Sequence, residues 1–293
     1  MADVTVQRTG ELLCKLFEII LKNPDGIRAQ DALKALRESV VLTEYEKGEY
    51  ASGGSRFEKI VRFATVDCVK AGWLVKDKGV WTITEEGEKA YKKLTSPDEF
   101  YRTAQKLYRQ WKKTHKVIKE PDAEEIEESS AAITYEEAEE QAWNEIENYF
   151  TNMPPYEFQK LVASLLKAMG YHVSWIAPPG KDGGLDILAW NDPLGTKPPR
   201  IKVQVKREQN KINVLVLRSF MSLLGDTDVG IFVNTGGFTR DAEDEARTQQ
   251  SRQVTLINLK RLFELWIEHL DKLDQDAKDL FPLKPIYFLA PET

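Results

Sequence analysis

Asp186, Gln204 and Lys206 offer a carboxylate, an amide and an amine within a short span of chain. Asp186 stands in an apolar, strand-like run, Leu185-Asp186-Ile187-Leu188-Ala189-Trp190, directly after Gly183-Gly184. A charge among apolar neighbours needs a partner, because an unpaired buried carboxylate is costly. Gln204 and Lys206 lie two apart in Arg200-Ile201-Lys202-Val203-Gln204-Val205-Lys206, so in a strand they share one face and Val203 and Val205 take the other. If the two runs pair as a hairpin, Asp186 meets Gln204 and Lys206. That set suits phosphodiester hydrolysis. Mg2+ takes oxygen ligands, polarises a phosphate and lowers the pKa of a bound water. A neighbouring lysine orients the nucleophile or offsets the developing charge. On this reading Asp186 is the main metal ligand. Gln204 and the backbone carbonyl of Val205 are further oxygen ligands, and Lys206 manages the nucleophile. Mg2+ is the expected cofactor, with Mn2+ as a substitute. Spacing alone also fits a structural Asp–Lys ion pair at a sheet end.

Two features favour the chemical reading. The run Gly180-Lys181-Asp182-Gly183-Gly184 brings backbone close to something just before Asp186. It lacks the pattern of a phosphate-binding P-loop and leads into a strand, not a helix. A basic run, Lys202, Lys206, Arg207, Lys211 and Arg218, lies on or after the second strand and could track a phosphate backbone. Lys181 and Arg207 are counted as candidate DNA contacts.

The elements that must position these residues read clearly from Pro154 onward. An amphipathic helix spans 155–169, followed by strands near 171–176, 185–190 and 200–206. A helix near 213–225, a strand 229–233, a helix from Thr239, a strand 254–257 and a helix 259–270 complete the order αβββαβαβα. The later βαβ units predict a mixed sheet with helices on both faces. Thr239 and Arg240 open a helix, where they could touch phosphate, although Thr239 also fits a plain N-cap.

The N-terminal part reads differently. Helices near 10–22, 28–39 and 56–72 precede two short β-prone runs, Trp73–Val75 and Val80–Ile83, which flank Asp77-Lys78-Gly79. Helices followed by a small hairpin predict a winged helix, with Arg56, Lys59 and Arg62 on its third helix and Lys76 and Lys78 on the wing as candidate DNA contacts. A winged-helix protein-interaction module is the alternative. A further basic helix spans 97–113, residues 114–134 read as a linker, and 135–149 as an acidic helix.

The formal net charge is −6, but eleven carboxylates fall between Pro121 and Phe150 with no Lys or Arg among them. Setting those eleven aside leaves the rest at +5. The overall sign therefore does not exclude a polyanion partner. The acidic helix is either a solvated face or a screen that competes with DNA for basic surface. Cys14 and Cys68 lie in apolar helical contexts and read as small buried hydrophobes. With two cysteines and three scattered histidines, a zinc site is not expected. No apolar run reaches the roughly 20 residues needed to span a bilayer, and the first residues do not form a secretory signal, so a cytoplasmic location is expected.

Residues 154–270 resemble the Mrr-type restriction endonuclease domain, a branch of the PD-(D/E)xK nuclease superfamily. The resemblance is carried in order by FQKLVASLLKAMGYHV, GKDGGLDILAW, VQVKRE, DVGIFVNTGGFTRDAEDEA and VTLINLKRLFELW. Residues 8–95 are similar to the winged-helix domain that often precedes it, notably in AGWLVKDKGVWTITEEG. The resemblance implies a multi-domain α/β (α+β) chain: a winged-helix DNA-binding domain at 1–95, a helical and acidic linker at 96–150 and a nuclease domain at 151–293. It implies metal-dependent cleavage of double-stranded DNA, often methylated foreign DNA. It matches Asp186 to the family's aspartate and Gln204-Val205-Lys206 to a Q-x-K form of the (D/E)-x-K motif. It also makes Gln159 a candidate catalytic residue, at a helix position that such domains commonly fill with an acid. Glu157, two residues earlier, is an imperfect substitute. The alternatives are a catalytically weak or inactive DNA-binding regulator and a structure-selective repair nuclease. Double-strand cleavage would call for a homodimer or repeated action.

Overall fold

The computed structural model describes residues 4–50, 54–114, 124–180, 183–249 and 252–287. The chain divides into two compact units, one running through Asn144 and the other from Glu145 to Tyr287.

In the first unit, α1 (Val6–Leu21), β1 (Ile27–Arg28), α2 (Ala29–Ser39) and α3 (Arg56–Lys70) lead into a hairpin of β2 (Leu74–Asp77) and β3 (Val80–Ile83). Thr5 and Ser55 cap α1 and α3 by accepting from the backbone N–H three residues on, which fixes where each helix starts. The strands form a small antiparallel sheet in the order β1-β3-β2. This is the arrangement of helices and hairpin that the sequence predicts. α4 (Glu85–Lys93) and α5 (Pro97–Thr114) come next. The core gathers Leu13, Leu16 and Phe17 of α1 with Phe57 and Val61 of α3, Trp81 of β3 and Phe100 of α5. Phe100 sits 5.0 Å from Phe17 and 4.9 Å from Trp73, centroid to centroid. The helix at 97–114 is therefore part of this core and not of a linker. α6 (Glu124–Asn152) begins well before the expected acidic helix, so much of the predicted linker is helical.

In the second unit, α7 (Pro155–Ala168) precedes β4 (His172–Ile176), β5 (Ile187–Trp190) and β6 (Arg200–Lys206). Then come α8 (Val214–Met221), β7 (Asp228–Asn234), α9 (Arg240–Thr248), β8 (Val254–Asn258), α10 (Leu259–Glu268) and α11 (Gln275–Leu280). The strands form a five-stranded sheet in sequence order, antiparallel from β4 to β6 and parallel from β6 to β8. It is the mixed sheet expected. Short connections force the antiparallel half, and the helical crossovers through α8 and α9 allow the parallel half. Phe220 of α8, Ala242 of α9 and Phe232 of β7 share a buried cluster on one face. α7 and α10 pack on β6 and β7. Phe281 begins the C-terminal tail by meeting Phe150 edge-on and Trp266 at a tilt within the unit. Among the described residues no helix is long and apolar enough to cross a membrane.

Candidate active site

Asp186 lies one residue before β5 and is buried. Its backbone is fixed on both sides: its N–H donates to the Val203 carbonyl at 2.9 Å, and its own carbonyl accepts from Ala177 N–H at 2.8 Å. Its Oδ2 accepts from the Val205 N–H at 2.7 Å. The carboxylate thus takes the place that a longer β5 would have filled beside β6. β5 and β6 pair antiparallel with Ile187 opposite Val203, so the hairpin expected from the sequence is present.

Gln204 and Lys206 lie on the face of β6 away from the buried Ile201 and Val203. Gly183 and Gly184 adopt φ of +65° and +83°, which L side chains rarely take. A Cβ on Gly184 would lie 3.5 Å from Gln204 Nε2, so the glycine backbone packs against the Gln204 amide. That is the close approach read from the sequence. Lys181, assigned to the same loop as a DNA contact, lies outside the described residues.

Lys206 Nζ pairs with Glu208 Oε1 at 3.1 Å. Glu208 was not among the sequence candidates. The alternation that puts 204 and 206 on one face continues to 208, one step past the strand, and that is the signal that could have found it.

Gln159 is brought to Asp186, but through its amide nitrogen. Nε2 donates to the carbonyls of both Ala177 and Asp186 at 3.0 Å. The side chain, a sequence candidate for the catalytic set, here clamps the backbone on either side of the carboxylate. Glu157, its imperfect substitute, is exposed on another face of α7.

The basic run after β6 finds several of its partners within the unit. Lys202 Nζ pairs with Asp228 at 2.9 Å and donates to the Leu223 carbonyl at 2.5 Å. Arg218 pairs with Glu245 at 2.7 Å. Arg207 donates to the carbonyl of Thr151 in the last turn of α6, a favourable place for a cation. These side chains are committed to internal acceptors. Thr239 caps α9 by accepting from Ala242 N–H at 3.4 Å, and Arg240 beside it is exposed.

The predicted contacts of the first unit fare differently again. Arg56 lies over the ring of Tyr45 at 4.6 Å, and Lys59 over that of Tyr50 at 5.3 Å. Arg62 and Lys76 are buried against carboxylates of α6, so they are not open contacts in this arrangement. Lys78 lies 5.4 Å from the Trp143 ring. Cys14 and Cys68 are free thiols, Cys68 buried and Cys14 half-buried, as the sequence implies.

The oxygen donors at the site are the Asp186 carboxylate, the Gln204 amide oxygen and the Val205 carbonyl. A residue's N–H and C=O point to the same edge of a strand, so the Val205 carbonyl faces the edge from which its N–H reaches Asp186. All three are hard donors of the kind Mg2+ or Mn2+ accepts. Among the described residues no group of three or more His, Cys, Asp or Glu could hold a metal ion. With such oxygens, a bound divalent ion would keep several waters of its own.

Residues 150–266 match a family model described as restriction endonuclease, and residues 11–93 match the Mrr N-terminal domain. The chain belongs to the Mrr-type restriction endonucleases. Asp186, Gln204 and Lys206 all fall inside the first match. The chain is 30% identical over 159 residues to the type IV methyl-directed restriction enzyme EcoKMrr of Escherichia coli strain K12. That alignment covers 51% of this chain and 51% of the relative, so the chain spans about half the length of the curated relative it matches. Among solved structures it is similar to MspJI restriction endonuclease in complex with a 27-mer oligonucleotide, at 13% identity and a TM-score of 0.32. The match covers 73% of this chain and 55% of that one, and a likeness this distant carries no weight for function.

Proposed function

We propose that this chain is a metal-dependent DNA endonuclease in which Asp186, Gln204 and Lys206 form the reactive centre. The observation that carries the reading is the convergence on one end of β6: a buried carboxylate held by Val205 N–H beside a Q-x-K pair. Asp186, the Gln204 amide oxygen and the Val205 carbonyl would hold Mg2+ or Mn2+. When bound, such an ion polarises the scissile phosphate and makes its water acidic. Lys206 orients the attacking water and sets positive charge beside the phosphate, with Glu208 anchoring its Nζ. Gln159 keeps the Asp186 backbone in place. The first unit acts as a winged helix that engages the duplex. The substrate we infer is modified, methylated foreign DNA, because the curated relative is described as methyl-directed. Double-strand cleavage would require two copies of the chain or successive nicks.

A second reading rests on the donor set itself. With Gln159 committed to backbone, the site has few charged ligands, which suits a DNA-binding sensor with weak or no cleavage.

The deciding measurement is nicking of matched methylated and unmethylated plasmid with Mg2+ or Mn2+, alongside a panel of flaps and junctions. Cleavage is expected on the methylated plasmid, and Asp186→Ala and Lys206→Ala should each lower it by roughly two to three orders of magnitude. Wild-type rates in both variants would remove the site assignment. DNA retention without cleavage under every metal would favour the sensor. Preference for branched substrates would mark a repair nuclease.

A further inference from the structure

In the described part of α6, Glu136, Glu140 and Trp143 recur at i, i+4 and i+7 and share one face. That face does not meet solvent. Arg62, in the middle of α3, donates to Glu136 at 2.7 Å and to Glu140 at 2.8 Å, and it lies 3.7 Å from Glu137. Its side chain is 5% exposed. Lys76 on β2 pairs with Glu136 at 2.6 Å. At the hairpin tip Gly79 has φ +74°, and a Cβ there would come within 2.9 Å of Glu140 Cγ, so only a glycine lets helix and hairpin approach this closely. Below it, Arg28 donates to Asn144 at 3.1 Å.

These are the residues a winged helix turns towards a duplex: the third helix and the hairpin. Here two of their cations, Arg62 and Lys76, face carboxylates of the same chain. A seam chosen for stability alone would favour apolar packing, since burying ion pairs costs desolvation that their attraction often fails to exceed. Burial pulls the Lys76 ammonium below its usual range, with Glu136 opposing that pull. Burial, and then Asp77, push the Glu139 carboxyl up. The interface therefore keeps charges where a dry contact would be cheaper to form.

We propose that the face formed by α3 and the β2–β3 hairpin is the duplex-binding surface, and that Glu136, Glu137 and Glu140 hold it closed as an intramolecular stand-in for phosphate that DNA must displace. The proposal rests on the endonuclease reading. A closed population of nine in ten lowers the apparent affinity about tenfold. α6 continues past this contact to Phe150, which is buried within the second unit.

The test uses the full chain and an unmodified 20-base-pair duplex, with binding read by fluorescence anisotropy in EDTA. Glu136→Gln/Glu140→Gln should bind at least about tenfold more tightly than wild type. Unchanged or weaker binding by this variant, while the wild-type chain still cleaves DNA with metal, overturns the closure and leaves the endonuclease reading standing. Failure of both proteins to bind or cleave any duplex overturns that reading and the closure with it. Since the variant strips partners from a buried arginine, hydrogen exchange on the unaltered chain supplies the second measurement. Saturating DNA should release protection over residues 136–144 and add it over 56–70. Retained protection at 136–144 in the complex also overturns the proposal.

Discussion

The two ends of β6 carry the same kind of residues and use them differently. Arg200, Lys202, Gln204 and Lys206 alternate along one face of a single strand. At its start, β7 delivers Asp228 opposite Arg200 in the ladder, and Arg200 and Lys202 close on that carboxylate at 2.8 and 2.9 Å. At its end, the carboxylate is Asp186, which arrives from a glycine loop and takes up the Val205 N–H that no strand reaches. A lysine two residues from a polar neighbour, facing an aspartate, is thus either a structural clasp or a reactive group. The way the aspartate is delivered separates them. A ladder partner saturated by two cations has nothing left for a ligand, whereas an aspartate just before the start of a strand sits beside amide and carbonyl oxygens that a metal could share.

The strongest way to break this comparison is Asp228→Asn. The Asp228 side chain is 1% exposed. Its loss leaves Arg200 and Lys202 without their carboxylate, which should cost about 3–5 kcal/mol of stability. Burial pushes the Asp228 carboxyl up, but Arg200, the Gly225 N–H and Lys202 outweigh it and hold it well below the usual carboxylate range. Linkage sets the sign. A depressed folded pKa gives stability that is fully present above the unfolded value of about 3.9 and is lost as pH falls below it. Urea midpoints measured from pH 7 down to pH 3 should therefore fall for the wild-type chain, and part of that fall should vanish in Asp228→Asn. Cleavage by the folded variant should stay near the wild-type rate. A collapse like that expected of Asp186→Ala would show that both ends of β6 serve the reaction.

Much of this geometry is legible in the sequence because periodicity is a local property. Alternation in β6, the apolar run around Asp186 and the short link between them specify the hairpin, and the helical crossovers specify the parallel half of the sheet. What sequence does not carry is which acceptor each cation meets. Lys202 and Arg218 look like phosphate ligands until the fold shows Asp228 and Glu245, from later elements, beside them. Gln159 looks like an acid position gone neutral, and only the two carbonyls converging on it reveal a clamp. The acidic helix is visible as a charge run, but its contact with Arg62 joins residues more than 70 positions apart. α5 reads as a basic amphipathic stretch, and its membership of the first core depends on Phe100 meeting Phe17.

Gln159 sharpens the comparison at the reactive end. Gln159→Glu would restore the acid that the family resemblance leads one to expect. If the side chain is a clamp, the change sets a carboxylate against two carbonyl oxygens and loses both donated bonds. The expected cost is roughly 1–3 kcal/mol, with lower cleavage from a displaced Asp186. Mn2+ titration of activity should show no gain in apparent affinity. Tighter Mn2+ binding together with faster cleavage would instead make position 159 a metal ligand.

The smallest effect lies at the N-terminus of α9, which comes after β7 close to Asn234, the ladder partner of Lys206. Thr239 there could serve as a cap or as a phosphate contact. Its Oγ1 accepts from Ala242 N–H, in the same manner as Asn258 accepts from Arg261 N–H at the start of α10, where no DNA contact is assigned. If capping is its whole role, Thr239→Ala and Asn258→Ala should each lower stability by about 1 kcal/mol and leave duplex affinity and its salt dependence alone. If Thr239 also binds phosphate, its replacement alone should weaken binding equally on every sequence, and Arg240→Ala should flatten the slope of log affinity against log salt by about one unit. The pair of caps thus asks whether the reactive end of the sheet extends to this helix or stops at Lys206.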